Sequence, residues 1–156
     1  MTKEQKQDYT LRITQANETG LVVILYEILL DYLKETRESF GQDGEGYKEP
    51  LRKVRAIINE LMLSTNRQYE IGENLYKLYC FMVRSLVKAE KNRDEAIIEQ
   101  IEKLVTSLMD AYRVVAKENP KGPVMGNSQT VYAGLTYGRN TLTENLAEDS
   151  GRGMFV

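Results

Sequence analysis

Apolar residues recur every three or four positions in four separate blocks of the sequence, which is the pattern of amphipathic helices. The first block covers residues 21–33, and Asn17 before it is a suitable N-cap. The glycine-rich residues 41–46 break the pattern after it. The second block lies between residues 47 and 68, with Pro50 in its first turn, where the missing N–H costs little. Two long helices are therefore predicted in the first half of the chain.

The second half predicts two more helices. The third block follows Gly72, which interrupts the pattern, and ends near Asn92, whose side chain can cap the next helix. The fourth block stops before Pro120. Its apolar stripe is Ile97, Ile101, Leu104, Leu108, Ala111 and Val115. Because short connections between long helices make neighbours antiparallel, we expect an all-α fold, an antiparallel four-helix bundle over residues 17–119.

The two ends of the chain differ from this bundle. Residues 1–16 form a polar N-terminal arm whose two large apolar side chains, Tyr9 and Ile13, make no helix stripe of their own. Residues 120–156 are rich in glycine and polar residues and predict a flexible tail. Its apolar residues suggest a short docking segment for a partner: Val131, Tyr132, Leu135, Tyr137, Met154 and Phe155.

Composition argues against catalysis and for binding. The chain has no histidine and a single cysteine, Cys80, so a carboxylate metal site of the Glu-x-x-His kind is excluded and neither metal nor cofactor is expected. A net charge of −2, from 21 basic and 23 acidic residues, gives no general attraction to nucleic acid. The longest apolar run, residues 21–25, is far short of a membrane span, and the polar leader is no signal peptide. We expect a cytoplasmic protein that is not an enzyme.

The first predicted helix has more apolar surface than one bundle face can bury. Apolar residues occupy positions 21–26, 28–30, 32 and 33, so a second face must be covered by the arm or by a partner. Tyr26 and Tyr79 suit a groove wall, because a tyrosine ring can be held there while its hydroxyl stays hydrated. The same residues could equally be core.

Several short motifs resemble a known family, the flagellar secretion chaperone FliS. They are Tyr9 and Ile13 in the arm, the apolar run ending Leu25-Tyr26-Glu27, Ile57-Ile58-Asn59-Glu60-Leu61, Asn74-Leu75-x-x-Leu78-Tyr79-x-x-Met82 and Asp110-Ala111-Tyr112. The resemblance spans about residues 9–117. Gln15, Asn17 and Glu18 stand where the family has Thr, Ser and Pro, and Tyr112 stands where it often has Trp.

This resemblance implies a cytoplasmic export chaperone. Such a protein binds the C-terminal segment of monomeric flagellin, prevents premature polymerisation and aids delivery to the flagellar type III export apparatus, with an export-gate component as a second candidate partner. The expected partner-binding residues are Tyr9, Ile13, Leu25, Tyr26, Leu29, Ile57, Leu61, Asn74, Leu75, Leu78, Tyr79 and Met82. The arm would be a displaceable lid.

Two other classes stay open on the residues alone. One is a generic helical-bundle adaptor that binds an amphipathic helix of another partner. The other is a helical enzyme that uses charged residues such as Arg84 or Arg113 at inward-facing positions, although both fall off the apolar stripes.

Overall fold

A computed structural model describes residues 1–118, which form five helices and no strand within that range. The helices are α1 (Lys3–Gln15), α2 (Glu18–Phe40), α3 (Lys48–Ser64), α4 (Glu70–Asn92) and α5 (Glu95–Glu118). The all-α prediction is confirmed. The predicted tail and its docking segment lie outside the described residues.

The last four helices pack as a bundle in which α2 and α4 are each flanked by α3 and α5. Each helix therefore lies beside the next one in the sequence, as short connections require. The predicted stripe of α3, Leu51, Val54, Ile58 and Leu61, is fully buried. On α5 the buried positions are Ile98, Ile101, Val105 and Met109, while the predicted Ala111 and Val115 are exposed. The α5 stripe was therefore predicted partly on the wrong face.

The arm is helical, which the pattern of its apolar residues did not predict. Thr2 begins α1 with a capping box: its hydroxyl accepts from the Gln5 N–H at 3.2 Å, and the Gln5 side chain accepts from the Thr2 N–H at 2.8 Å. Tyr9 and Ile13 lie four positions apart, on one side of the helix, and both are buried. The apolar face of α1 thus consists of only these two residues, and α1 buries it by packing against α2.

The helix ends agree with the sequence at some positions and differ at others. Asn17 caps α2 as predicted, accepting from the Gly20 N–H at 2.7 Å. The α4–α5 cap is Asp94 rather than Asn92, because Asp94 accepts from the Ala96 N–H at 3.0 Å and Asn92 is still helical. Arg93 between them adopts the left-handed conformation that reverses the chain, with φ of 49°.

Gly72 does not interrupt the pattern; it lies inside the first turn of α4. The preceding helix ends earlier than predicted, at Ser64, and the hydroxyls of Ser64 and Thr65 both donate to the Leu61 carbonyl. The connection then passes so close to α4 that a Cβ on Gly72 would lie 1.9 Å from the carbonyl oxygen of Asn66. Gly72 is therefore a close-approach position, not a helix breaker.

Candidate functional site

Helix α2 is buried on nearly every side. Its buried residues are Leu21, Val23, Ile24, Leu25, Tyr26, Ile28, Leu29, Leu33, Thr36 and Phe40, which leaves no wide solvent face. The bundle neighbours α3 and α5 cover part of this surface, and α1 packs on α2 from outside the bundle. The excess apolar face predicted for this helix is real, and α1 is the segment that covers part of it.

Polar contacts fix α1 on α2 in an antiparallel direction. The Tyr9 hydroxyl donates to Asp31 Oδ2 at 2.6 Å, and Arg12 Nη1 donates to Glu27 Oε2 at 2.6 Å. Nearer the N-terminus, the ammonium group of Met1 contacts Glu35. As α1 advances along the sequence, its partners on α2 recede from residue 35 to 27. The register of the arm is therefore set by named pairs and not by apolar contact alone.

Glu27 joins three helices. Besides Arg12 of α1, it accepts a hydrogen bond from Arg113 of α5, whose Nη2 lies 3.0 Å from Glu27 Oε1. Burial by itself raises the pKa of the Glu27 carboxyl, but the hydrogen bonds from Arg12 and Arg113 outweigh it and leave that pKa below its ordinary value. Glu27 is accordingly held as a carboxylate beneath the arm.

Three tyrosines meet inside the bundle. Tyr26 and Tyr79 are buried and their hydroxyls hydrogen-bond to each other, so either can donate. Tyr112 packs edge-on against Tyr26, with ring centroids 5.6 Å apart. Burial, first of all, raises the pKa of all three phenols. They stay neutral, and the pair Tyr26–Tyr79 ties α2 to α4.

An open cavity of about 210 Å³ lies above this cluster, at the end of the bundle where α2 and α4 begin and α3 ends. Tyr79 and Tyr112 line it together with Val22, Leu61 and Leu75. Its polar rim includes Thr19, Ser64, Thr65 and Asn66. Nearby on the connection and the first turn of α4, Tyr69 is 66% exposed and Ile71 is 72% exposed. This end cavity is an apolar depression with exposed apolar residues at its edge, which suits binding of an apolar side chain.

The predicted partner-binding residues fall into two groups. Most are buried: Tyr9, Ile13, Leu25, Tyr26, Leu29, Ile57, Leu61, Tyr79 and Met82. Leu75 and Leu78 are half-buried and Asn74 is exposed, all on the first turns of α4. Only Leu61, Leu75 and Tyr79 of the whole set line the end cavity. In this state with α1 docked, the others form the core or lie on the surface of α4.

Sequence reasoning missed the polar side chains beneath the arm. Asp31 and Arg12 belong to none of the predicted sites, and Glu27 appears only within the motif Leu25-Tyr26-Glu27. The sequence nevertheless indicates these contacts. Glu27, Asp31 and Glu35 follow one another at four-residue intervals, which places three carboxylates on one side of a mostly apolar helix. The Thr2-x-x-Gln5 capping box was the corresponding signal for α1.

Comparison with known proteins agrees with this architecture. The sequence profile described as flagellar protein FliS matches residues 1–119, all five helices included. The chain belongs to the FliS family. The chain is 27% identical over 110 residues to the flagellar secretion chaperone FliS of Bacillus subtilis (strain 168), which covers 70% of this chain and 83% of the relative. It is also 27% identical over 106 residues to the Escherichia coli (strain K12) protein of the same name, covering 65% and 77% respectively.

Membership of FliS, a family of chaperones rather than enzymes, supports an export-chaperone role. Arg84 and Arg113, the charges that an enzymatic bundle would need in its core, are both exposed. Among residues 1–118, no three carboxylate or thiol side chains lie close enough together to hold a metal ion. Within the same residues, no helix is both long enough and apolar enough to cross a membrane.

Proposed function

We propose that this protein is a cytoplasmic export chaperone that binds the C-terminal segment of monomeric flagellin. Binding would prevent premature polymerisation and aid delivery to the flagellar type III export apparatus, where a component of the export gate is a further partner. The bundle, residues 17–119, would be the chaperone domain and residues 1–16 its lid. The family supports the chaperone role, and the way in which α1 covers α2 supports a binding face for an amphipathic segment.

The observation that carries the proposal is the replaceable cover on α2. At 13 residues, α1 is near the roughly 12–15 residues below which an isolated helix is marginal in water. Its two buried anchors, Tyr9 and Ile13, contribute at most about 1.5–3 kcal/mol each before ordering costs are subtracted. A longer amphipathic client segment offers more anchors for the same face and can displace α1.

The candidate residues would then act in different ways. Tyr9 and Ile13 would leave with the arm. Leu75, Leu78 and Asn74 would touch the client directly, since they already reach solvent. The buried members would form the base of the groove and determine its shape: Leu25, Tyr26, Leu29, Ile57, Leu61, Tyr79 and Met82.

Isothermal titration of the purified chain with monomeric flagellin tests the proposal. We expect a one-to-one complex with a negative heat-capacity change, because apolar surface is buried. Flagellin that lacks its C-terminal segment should not bind. Absence of heat and of co-elution at tens of micromolar, where a roughly micromolar interaction is visible, would refute it. Equal binding of intact and truncated flagellin would instead favour a generic bundle adaptor.

A matched pair of leucines localises the site. Leu75 lines the end cavity and is half-buried, so Leu75→Ser should weaken flagellin binding. Leu63 is 67% exposed on α3 and does not line the cavity, so Leu63→Ser should bind as the unaltered chain does. Both variants should be compared at equal helix content by circular dichroism. Identical affinities for the two folded variants would place the client elsewhere.

A further inference from the structure

Carboxylates occur at every fourth residue along the face of α2 that α1 covers. Glu27, Asp31 and Glu35 form this acidic row. Glu27 and Asp31 each meet a donor of α1, and Glu35 meets the ammonium group of Met1, which precedes α1. Residues four apart share one side of a helix, so the row runs beside the apolar strip that holds Tyr9 and Ile13. The face beneath α1 is therefore apolar along one edge and acidic along the other.

Removal of α1 changes the surroundings of the Glu27 and Asp31 carboxylates. Asp31 loses the Tyr9 hydroxyl, and Glu27 loses Arg12 and keeps only Arg113, which is half exposed. A purely apolar helix on this face would cover these oxygens without offering them donors. Burying a charged acceptor without a partner is costly. An occupant that binds well must bring its own donors to the acidic row.

We propose that the acidic row selects the helix that replaces α1. The occupant carries a cation opposite Glu27 and, one helical turn away, a hydroxyl or a second cation opposite Asp31, as Arg12 and Tyr9 do. These donors stand beside the occupant's apolar anchors. This inference rests on the proposed function, because it gives the chemistry of the client segment: an amphipathic helix with basic residues along one side of its apolar stripe.

Two variants that loosen α1 from opposite sides of one ion pair distinguish this role from mere fastening of the arm. Arg12→Gln and Glu27→Gln both remove the same ion pair from α1. Arg12→Gln leaves the acidic row intact, so flagellin should bind about two- to five-fold more tightly, the range for a half-exposed ion pair. Glu27→Gln also removes the partner of the client's cation. It should therefore bind about two- to five-fold more weakly than Arg12→Gln.

A second pair repeats the comparison at the neighbouring position. Tyr9→Phe removes the donor, and Asp31→Asn removes the carboxylate.

Glu102→Gln is the matched control for Glu27→Gln. Glu102 makes a similar ion pair with Arg37 between α2 and α5, and its side chain is 21% exposed against 17% for Glu27. Hydrogen exchange of the α1 amides shows whether both members of a pair loosen the arm equally, and circular dichroism shows that each variant folds.

Neutralisation of single Lys or Arg residues in the flagellin C-terminal segment completes the test. In a double-mutant cycle with Glu27→Gln, one basic residue of the client should couple by about two-fold or more. The inference is overturned if Arg12→Gln and Glu27→Gln bind equally, if no basic residue couples, or if Arg12→Gln binds more weakly than the unaltered chain. If the unaltered chain does not bind flagellin at all, the proposed function fails together with this inference. If the unaltered chain binds but the variants do not differ, only this inference fails.

Discussion

The substitution Gly72→Ala should destabilise the bundle although it replaces glycine within a helix. A Cβ at this position would lie 1.9 Å from the carbonyl oxygen of Asn66 and 2.7 Å from its carbonyl carbon. Both atoms are backbone, so no side-chain rotation relieves the clash. The α3–α4 connection would have to move outward by about 1.5 Å to restore ordinary van der Waals contact.

Two opposing effects set the magnitude. Overpacking costs about 1–3 kcal/mol, whereas alanine is favoured over glycine in a helix by up to about 1 kcal/mol, and by less in a first turn. We expect a net loss of about 1–2 kcal/mol. For about 118 residues this lowers the Tm by roughly 3–10 °C, measured by calorimetry or by circular dichroism. The end cavity, which both Gly72 and Asn66 line, should change shape, and flagellin binding should weaken.

Gly46→Ala is the control. A Cβ at Gly46 meets no atom within 4 Å, and its φ is not positive, so the substitution should be neutral or stabilise by up to about 1 kcal/mol. If Gly72→Ala is as stable as Gly46→Ala, the close approach of the α3–α4 connection is not a constraint and the reasoning fails.

Three further predictions concern the tyrosines and the arm. Tyr26→Phe leaves the Tyr79 hydroxyl buried without its partner and should cost about 1–3 kcal/mol in urea denaturation, whereas the double change to Phe at both positions should cost no more than the single one. Because the pKa of Glu27 is lowered in the folded chain, its stabilisation of α1 is complete above the ordinary carboxyl pKa of about 4.3 and is lost as the pH falls through the lower folded value. The amides of α1 should therefore lose protection below about pH 4, and Glu27→Gln should reduce this dependence. The pKa values of Tyr9, Tyr26, Tyr79 and Tyr112 are raised, so these four of the ten tyrosines should stay protonated above about pH 10, as measured by absorbance at 295 nm. Their contribution to stability should fall as the pH rises further. Ordinary titration of all ten tyrosines in the folded chain would contradict this prediction.

The sequence predicted the bundle well because its period is a local property of the chain. The spacing of Leu51, Val54, Ile58 and Leu61 admits one buried face, and the fold buries it. Asn17 was recognisable as a cap from its neighbours alone. On α5 apolar residues are adjacent at Ile97–Ile98 and Leu104–Val105, so two stripes one position apart fit the pattern equally well. Only the packing of α5 against α2 and α4 determines which of the two stripes is buried.

Features that depend on distant contacts could not be predicted in the same way. Gly72 resembles a helix breaker by composition, and only the path of the chain at Asn66 shows why a side chain is excluded. The sequence left open whether the arm or a partner covers the first bundle helix. In the structure Tyr9 and Ile13 of the arm are buried there, and the helical state of the arm depends on that packing. Burial of most candidate groove residues likewise follows from α1 and the bundle together. Which of them a client contacts stays a prediction.

The connection between α1 and α2 consists of only Ala16 and Asn17, both in extended conformation. A cover tethered this closely competes at a local concentration on the order of millimolar, whatever the concentration of the protein. A client present at micromolar levels is therefore outnumbered about a thousand-fold and must make up the difference through additional contacts. When the client is withdrawn, α1 can return without a diffusional search. Under the proposed function, departure of the client would close the face at once and oppose rebinding, so the short tether would favour export in one direction.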